Sequence, residues 1–95
     1  MKVEWTDRAT LDLRAAYEYW AEERSLAAAE KMLETIFSAV EMLEEYLGAG
    51  RRGRVAGTRE LVILRTPFLI AYRVAHGSIQ ILALLHGGRK WPDRF

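Results

Sequence analysis

A chain of 95 residues, 51% of them hydrophobic, can bury roughly 60–65% of its unfolded surface in one core and is too apolar for disorder. It has no cysteine, which excludes disulfide scaffolds, cysteine-ligated zinc and thiol catalysis and fits a reducing compartment. The net charge of +1 hides a split: residues 1–47 carry 5 Lys/Arg against 11 Asp/Glu, whereas residues 48–95 carry 9 against 2, so a basic patch is expected on the second half.

The N-terminal stretch MKVEWTDRATLDL holds no apolar signal-peptide region, and no apolar run approaches membrane-spanning length. The expectation is one soluble, cytoplasmic domain over residues 1–95, with no cofactor, metal or membrane partner.

Lys2-Val3-Glu4-Trp5 alternates and reads as a short edge strand. Thr6 is a suitable N-cap, with Asp7 in the first turn where a carboxylate favours the helix dipole. Ala9, Leu13, Ala16, Tyr17 and Trp20 then form the stripe of an amphipathic helix. Arg24-Ser25 marks a break, with Ser25 as cap of a second helix. Its stripe of Leu26, Ala29, Leu33, Ile36, Val40, Leu43 and Leu47 alternates spacings of 3 and 4, Phe37 widens it, and Gly48-Ala49-Gly50 ends it. Such a stripe could pair between chains as a coiled coil; the short connection Glu22-Glu23-Arg24-Ser25 favours an αα-hairpin instead.

Next comes Arg51-Arg52-Gly53-Arg54-Val55-Ala56-Gly57, expected as a mobile cationic loop. Arginine suits phosphate and carboxylate partners because its planar fork meets two oxygens at once.

Gly57 to Trp91 holds most of the β-branched residues of the second half, interrupted at Thr66-Pro67 and His76-Gly77. It reads as a three-stranded antiparallel meander with tight turns at those dipeptides. Two-residue turns would set Ile63 opposite Ile70, Leu61 opposite Tyr72, Tyr72 opposite Ile81 and Ile70 opposite Ala83. Because side chains alternate between faces, one face carries Leu61, Ile63, Phe68, Ile70, Tyr72, Val74, Ile79, Ile81, Ala83 and Leu85, the expected core. The other carries Glu60 across from Arg73, Arg73 across from Gln80, then Val62, Leu64, Leu69, Ala71, Leu82 and Leu84, with His86 at its end. With both helices assigned to the core face, that apolar surface points to a partner site. The fold class is therefore α+β, an N-terminal edge strand and an αα-hairpin packed on an antiparallel sheet in the order β-α-α-β-β-β.

The tail mixes Arg89, Lys90 and Arg94 with Trp91 and Phe95. Residues of these types can stack on and neutralise a nucleic acid or anchor a protein interface; alternatively Trp91 folds back on the core.

This order of elements resembles the RelE/ParE superfamily of bacterial type II toxins. The residues carrying the resemblance are Trp5, Ala9, Asp12-Leu13 and Tyr17, then Gly57-Thr58-Arg59-Glu60-Leu61, Ile70-Ala71-Tyr72-Arg73-Val74, Ile79-Gln80-Ile81-Leu82, and His86 with Arg89 and Trp91-Pro92. The resemblance spans nearly the whole chain. It implies a toxin neutralised by an antitoxin encoded beside it, ParD-like or related. It also implies one of two targets: DNA gyrase in ParE-like members, or mRNA cleaved on the ribosome in RelE-like members.

Cleaving RNA through its 2′-hydroxyl needs a base, an acid and cations around the phosphorane. Arg59, Arg73 and Arg89 supply cations, His86 an acid or base, and Glu60 a base unless Arg73 holds its carboxylate as an ion pair. The C-terminal tyrosine of many RelE-like members is missing, as are their loop lysines. His86 with Arg89 and Trp91-Pro92 is closer to the tail of ParE-like members. The resemblance therefore implies a gyrase inhibitor without a catalytic site of its own, a RelE-like endoribonuclease being the alternative. Partner contacts are expected from Arg51, Arg52, Arg54, Val62, Leu64, Leu69, Arg73, Leu82, Leu84, Arg89, Lys90, Trp91, Arg94 and Phe95.

Overall fold

Both helices start at the expected caps. The Thr6 hydroxyl accepts from Ala9 N at 3.2 Å and the Ser25 hydroxyl from Ala28 N at 3.0 Å, each satisfying a first-turn N–H that has no partner inside its helix. In the computed structural model, which describes residues 1–87 and residue 95, the order is β1 (Lys2–Trp5), α1 (Asp7–Glu23), α2 (Leu26–Glu45), β2 (Arg51–Arg52), β3 (Arg59–Val62), β4 (Phe68–Ala75) and β5 (Ser78–His86). The strands form one five-stranded sheet in the order β1-β5-β4-β3-β2. β1 runs parallel to β5 and every other pair is antiparallel, so the sheet is mixed. A parallel neighbour is what the helical crossover from β1 requires.

The helical hairpin covers one face of the sheet. Met32, Ile36, Val40 and Leu43 of α2 and Ala9 and Ala16 of α1 share a cluster with Leu61, Ile63, Ile70, Tyr72, Ile79 and Ile81. Each large side chain buried there contributes roughly 1.5–3 kcal/mol. No described helix is long and apolar enough to cross a membrane.

Four local expectations are corrected. First, α2 ends at Glu45 rather than at the glycines, with Tyr46 as C-cap. Gly50 serves another purpose: a Cβ there would lie 2.6 Å from the Tyr72 ring. The Tyr72 hydroxyl accepts from Gly50 N and donates to Leu47 O, both at 2.9 Å. Second, the basic loop is not left loose. Arg51 and Arg52 pair with Glu60 and Arg59 as β2, Gly53 N donates to Thr58 O at 2.8 Å, and the Thr58 hydroxyl donates to Val55 O at 2.7 Å.

Third, Thr66-Pro67 is not a two-residue turn. The tightest hairpin turn of type I′ needs positive φ at both central residues, and proline is locked near −65°. The chain instead turns over Leu64 to Pro67, with Arg65 at φ 70°, and Ile63 N bonds Phe68 O at 3.1 Å. Leu61 therefore faces Ile70, and Glu60 faces Ala71 instead of Arg73. The shift is by two residues, so no side chain of β3 changes face. His76-Gly77, by contrast, has φ of 53° and 74°, as a type I′ turn requires, and Val74 faces Ile79 as expected.

Fourth, β5 bulges. Ala71 pairs with Ala83 but Tyr72 pairs with Ile81, which leaves Leu82 as an extra residue. Beyond it every side chain reverses: Leu84 joins the helix-side core, whereas Ala83 and Leu85 fall on the opposite face. The bulge is braced where β1 stops. The Thr6 hydroxyl lies 2.9 Å from Ile81 O and 3.2 Å from Leu82 O, and Asp12 Oδ2 accepts from Leu84 N at 3.1 Å. Thr6 thus caps α1 and holds the bulged edge together. Thr6→Ala should cost about 1–2 kcal/mol, the upper half of the range for a lost N-cap, read from urea denaturation; a loss below about 0.5 kcal/mol would show that the brace contributes nothing.

Candidate functional site

The basic end of the sheet is built around one buried carboxylate. Glu60 is 4% exposed, and a charge at that depth must be paired. Its Oε1 accepts from Nε and Nη2 of Arg51, both at 3.3 Å, and its Oε2 from the backbone N–H of Arg54 at 2.8 Å. Glu60 therefore pairs with Arg51 rather than with the expected Arg73. It clamps β2 and the following loop onto β3. Arg73 instead bonds Gln80 at 2.6 Å, its expected cross-strand neighbour. Arg59 donates to Gly50 O at 2.8 Å and stands opposite Arg52 in the ladder. Arg52, Gly53, Ala56, Gly57, Thr58 and Arg59 line a concavity of about 420 Å³.

Among the described residues, the candidate nuclease residues are not gathered at one place. Arg59 and Glu60 lie near the Tyr72 end of β4, whereas His86 pairs with Phe68 at its other end. Five residues of extended chain separate Phe68 from Arg73, about 17 Å. After the bulge His86 also lies on the helix side, opposite to Arg73. Its ring meets Phe68 edge to face at 5.8 Å between centroids. There it lines a cleft of about 760 Å³ between α1 and the ends of β4 and β5, with Arg8, Asp12, Tyr19, Trp20 and Arg24 on the helical wall. The sequence pattern does not mark that wall. Arg8, Asp12, Ala15, Tyr19 and Glu23 repeat at helical spacing beside the core stripe, but their polarity reads as a solvated face. Arg24 lies over the Trp20 ring at 4.5 Å.

The apolar surface away from the helices is narrower than expected. Leu69 and Leu82 are buried in a cluster with Ala71, Ala83 and Leu85. Leu84 has left that face because of the bulge. Val62 and Leu64 remain open, 48% and 77% exposed, on β3 and just past it, where β2 no longer covers the edge. Arg89, Lys90, Trp91 and Arg94 lie outside the described residues. Phe95 is 41% exposed, and the guanidinium carbon of Arg8 lies 5.6 Å from its ring centroid.

The family model for the ParE toxin of type II toxin-antitoxin systems, parDE, matches residues 3–91. Putative toxin Y4kP of Sinorhizobium fredii (strain NBRC 101917 / NGR234) is 38% identical over 94 residues, covering 97% of this chain and 94% of that protein. Toxin RelE2 of Caulobacter vibrioides is 38% identical over 88 residues, covering 93% of this chain and 97% of that one. A solved chain of the chromosomal ParDE TA system from P. aeruginosa matches with a TM-score of 0.84 and 34% identity, over 90% of this chain and 95% of the other.

Proposed function

We propose that this chain, which belongs to the ParE toxin family of type II toxin-antitoxin systems, inhibits DNA gyrase by binding it and is neutralised by a cognate antitoxin. The observation that carries the reading is the state of the candidate base Glu60 and of Tyr72, the last tyrosine of the chain. The Glu60 carboxylate is buried and held by Arg51 and by Arg54 N. Tyr72 is fully buried with its hydroxyl bonded to Leu47 and Gly50. Neither is placed to take a proton from a 2′-hydroxyl, whereas a toxin that acts by occupying its target needs no such group. The antitoxin docks at the open β3 edge around Val62 and Leu64, its acidic residues meeting Arg73 and the arginines that follow α2.

The experiment is His86→Gln, which keeps size and hydrogen bonding but cannot transfer a proton near neutral pH. Induced in cells, this variant should retain most of the growth inhibition and the gyrase-linked DNA breaks. A nuclease relying on His86 would lose roughly 10²–10⁴-fold in rate from the same change. Loss of inhibition together with loss of mRNA cleavage would establish the endoribonuclease reading, to which the match with Toxin RelE2 lends its support.

A further inference from the structure

The arginines around β2 are not equivalent, and their arrangement leaves two of them facing one cavity. Arg51 is neutralised by Glu60. Arg52 and Arg59 oppose one another in the β2–β3 ladder, which brings their Cβ atoms within about 5.5 Å. Among the described residues no carboxylate pairs with either. Like charges directly across a ladder are unfavourable unless an anion lies between them. Both line the 420 Å³ concavity, whose other walls are Gly53, Ala56, Gly57 and Thr58, small residues that leave its space open.

The cavity is held in shape before any ligand arrives. Arg59 is anchored on Gly50 O at 2.8 Å, and Gly50 is itself bonded to the buried Tyr72 hydroxyl. Gly53 N bonds Thr58 O at 2.8 Å, and Thr58 N bonds Val55 O at 3.2 Å. Gly57 turns the chain at φ 79°, a conformation that a side chain disfavours. The local acid, Glu60, is engaged below.

We propose that Arg52 and Arg59 form an oxyanion site that takes a phosphate group. Two arginines lining one space bring two forks of donors to it. A carboxylate, with two coplanar oxygens and one charge, satisfies a single fork. A phosphate offers further oxygens out of that plane, and a phosphomonoester carries up to two charges. A free phosphate, a mononucleotide and a polynucleotide backbone all present this group, and the recognition is the same. The site is independent of whether gyrase or mRNA is the target.

The test follows backbone amide shifts in the full chain during titration with sodium phosphate, at ionic strength held constant with sodium chloride. Saturable shifts centred on Gly53, Gly57, Thr58 and Arg59 are expected. Arg52→Gln, an exposed substitution that leaves the Glu60 clamp intact, should weaken binding about tenfold, as loss of charge-assisted hydrogen bonds does. Arg65→Gln, outside the cavity, should change nothing. An eight-nucleotide single strand gives the second arm. If the source is a polynucleotide, Arg52→Gln lowers the slope of log affinity against log salt by about 1; if the strand binds no better than phosphate, the source is a free phosphate or mononucleotide. Equal shifts with sodium acetate, or an Arg52→Gln variant that binds phosphate like the original chain, would overturn the site.

Discussion

Replacing Val62 and Leu64 together with aspartate should weaken antitoxin binding by about two orders of magnitude, the scale of losing an interface hot spot, without lowering the melting temperature by more than a few degrees. The reasoning starts from exposure. Val62 and Leu64 are 48% and 77% exposed, so their removal opens no cavity, and isolated exposed replacements are usually within about 0.5 kcal/mol of neutral. They adjoin a strand edge that β2 covers only over Arg59 and Glu60, and natural proteins rarely leave such an edge both open and apolar without a use. An acidic partner would meet arginines on both sides, Arg52 at one end and Arg65 at the other, so two introduced aspartates add repulsion to lost contact area. Titration calorimetry with the cognate antitoxin reads the change. Unaltered affinity with an unaltered fold would move the docking surface to the helical hairpin, where Leu11, Tyr19, Leu26 and Tyr46 are also exposed.

A single methyl group at position 50 should have the largest effect on the fold. Gly50→Ala places a Cβ 2.6 Å from Cε1 and the hydroxyl of Tyr72 and 3.0 Å from Glu60 O. Tyr72 is 0% exposed and cannot swing away without breaking its bonds to Leu47 O and Gly50 N. The cost should be about 3 kcal/mol, the upper part of the usual range for overpacking, measured by urea denaturation. Because the obstacle is the tyrosine ring, the same change in a Tyr72→Leu background should cost much less, a coupling expected only of residues in contact. Additive losses would mean that the strain lies in the backbone of β3 instead. Since Arg59 is anchored on Gly50 O, the same substitution should also loosen the arginine pair beside it.

Several features were legible because one local rule decided them. Thr6 and Ser25 are good caps followed at once by apolar stripes, and both cap. His76-Gly77 can adopt two successive positive φ values, and it does. Glu60 reads as a residue in need of a cation, but which cation it meets depends on strand pairing, and that is Arg51 rather than Arg73. A two-residue turn at Thr66-Pro67 is two residues shorter than the turn the chain makes, and proline's fixed φ already argues against that turn type. Alternation cannot detect an error of two, since every side chain keeps its face.

The bulge was different in kind. From Ile81 to Leu85 every residue is apolar, so no alternation marks which one is extra, and any register buries apolar groups equally well. What places the bulge at Leu82 is the arrival of β1 and α1 beside it. β1 ends at Trp5 opposite Ile81, the Thr6 hydroxyl meets Ile81 O and Leu82 O, and Asp12 takes the Leu84 N–H. These contacts join residues more than 70 positions apart in the chain. The moves of Leu84 and His86 to the helix side follow from them.

By itself, then, the sequence determined the α+β layout, the caps, the two amphipathic helices and the basic second half, because these depend on propensity and spacing within a few residues. The tertiary structure alone decided which arginine Glu60 engages, which arginines are left facing a common cavity, and on which side of the sheet His86 lies. Each of those depends on the pairing of strands, and a buried charge or an unpaired backbone group takes whichever partner the assembled sheet brings within reach.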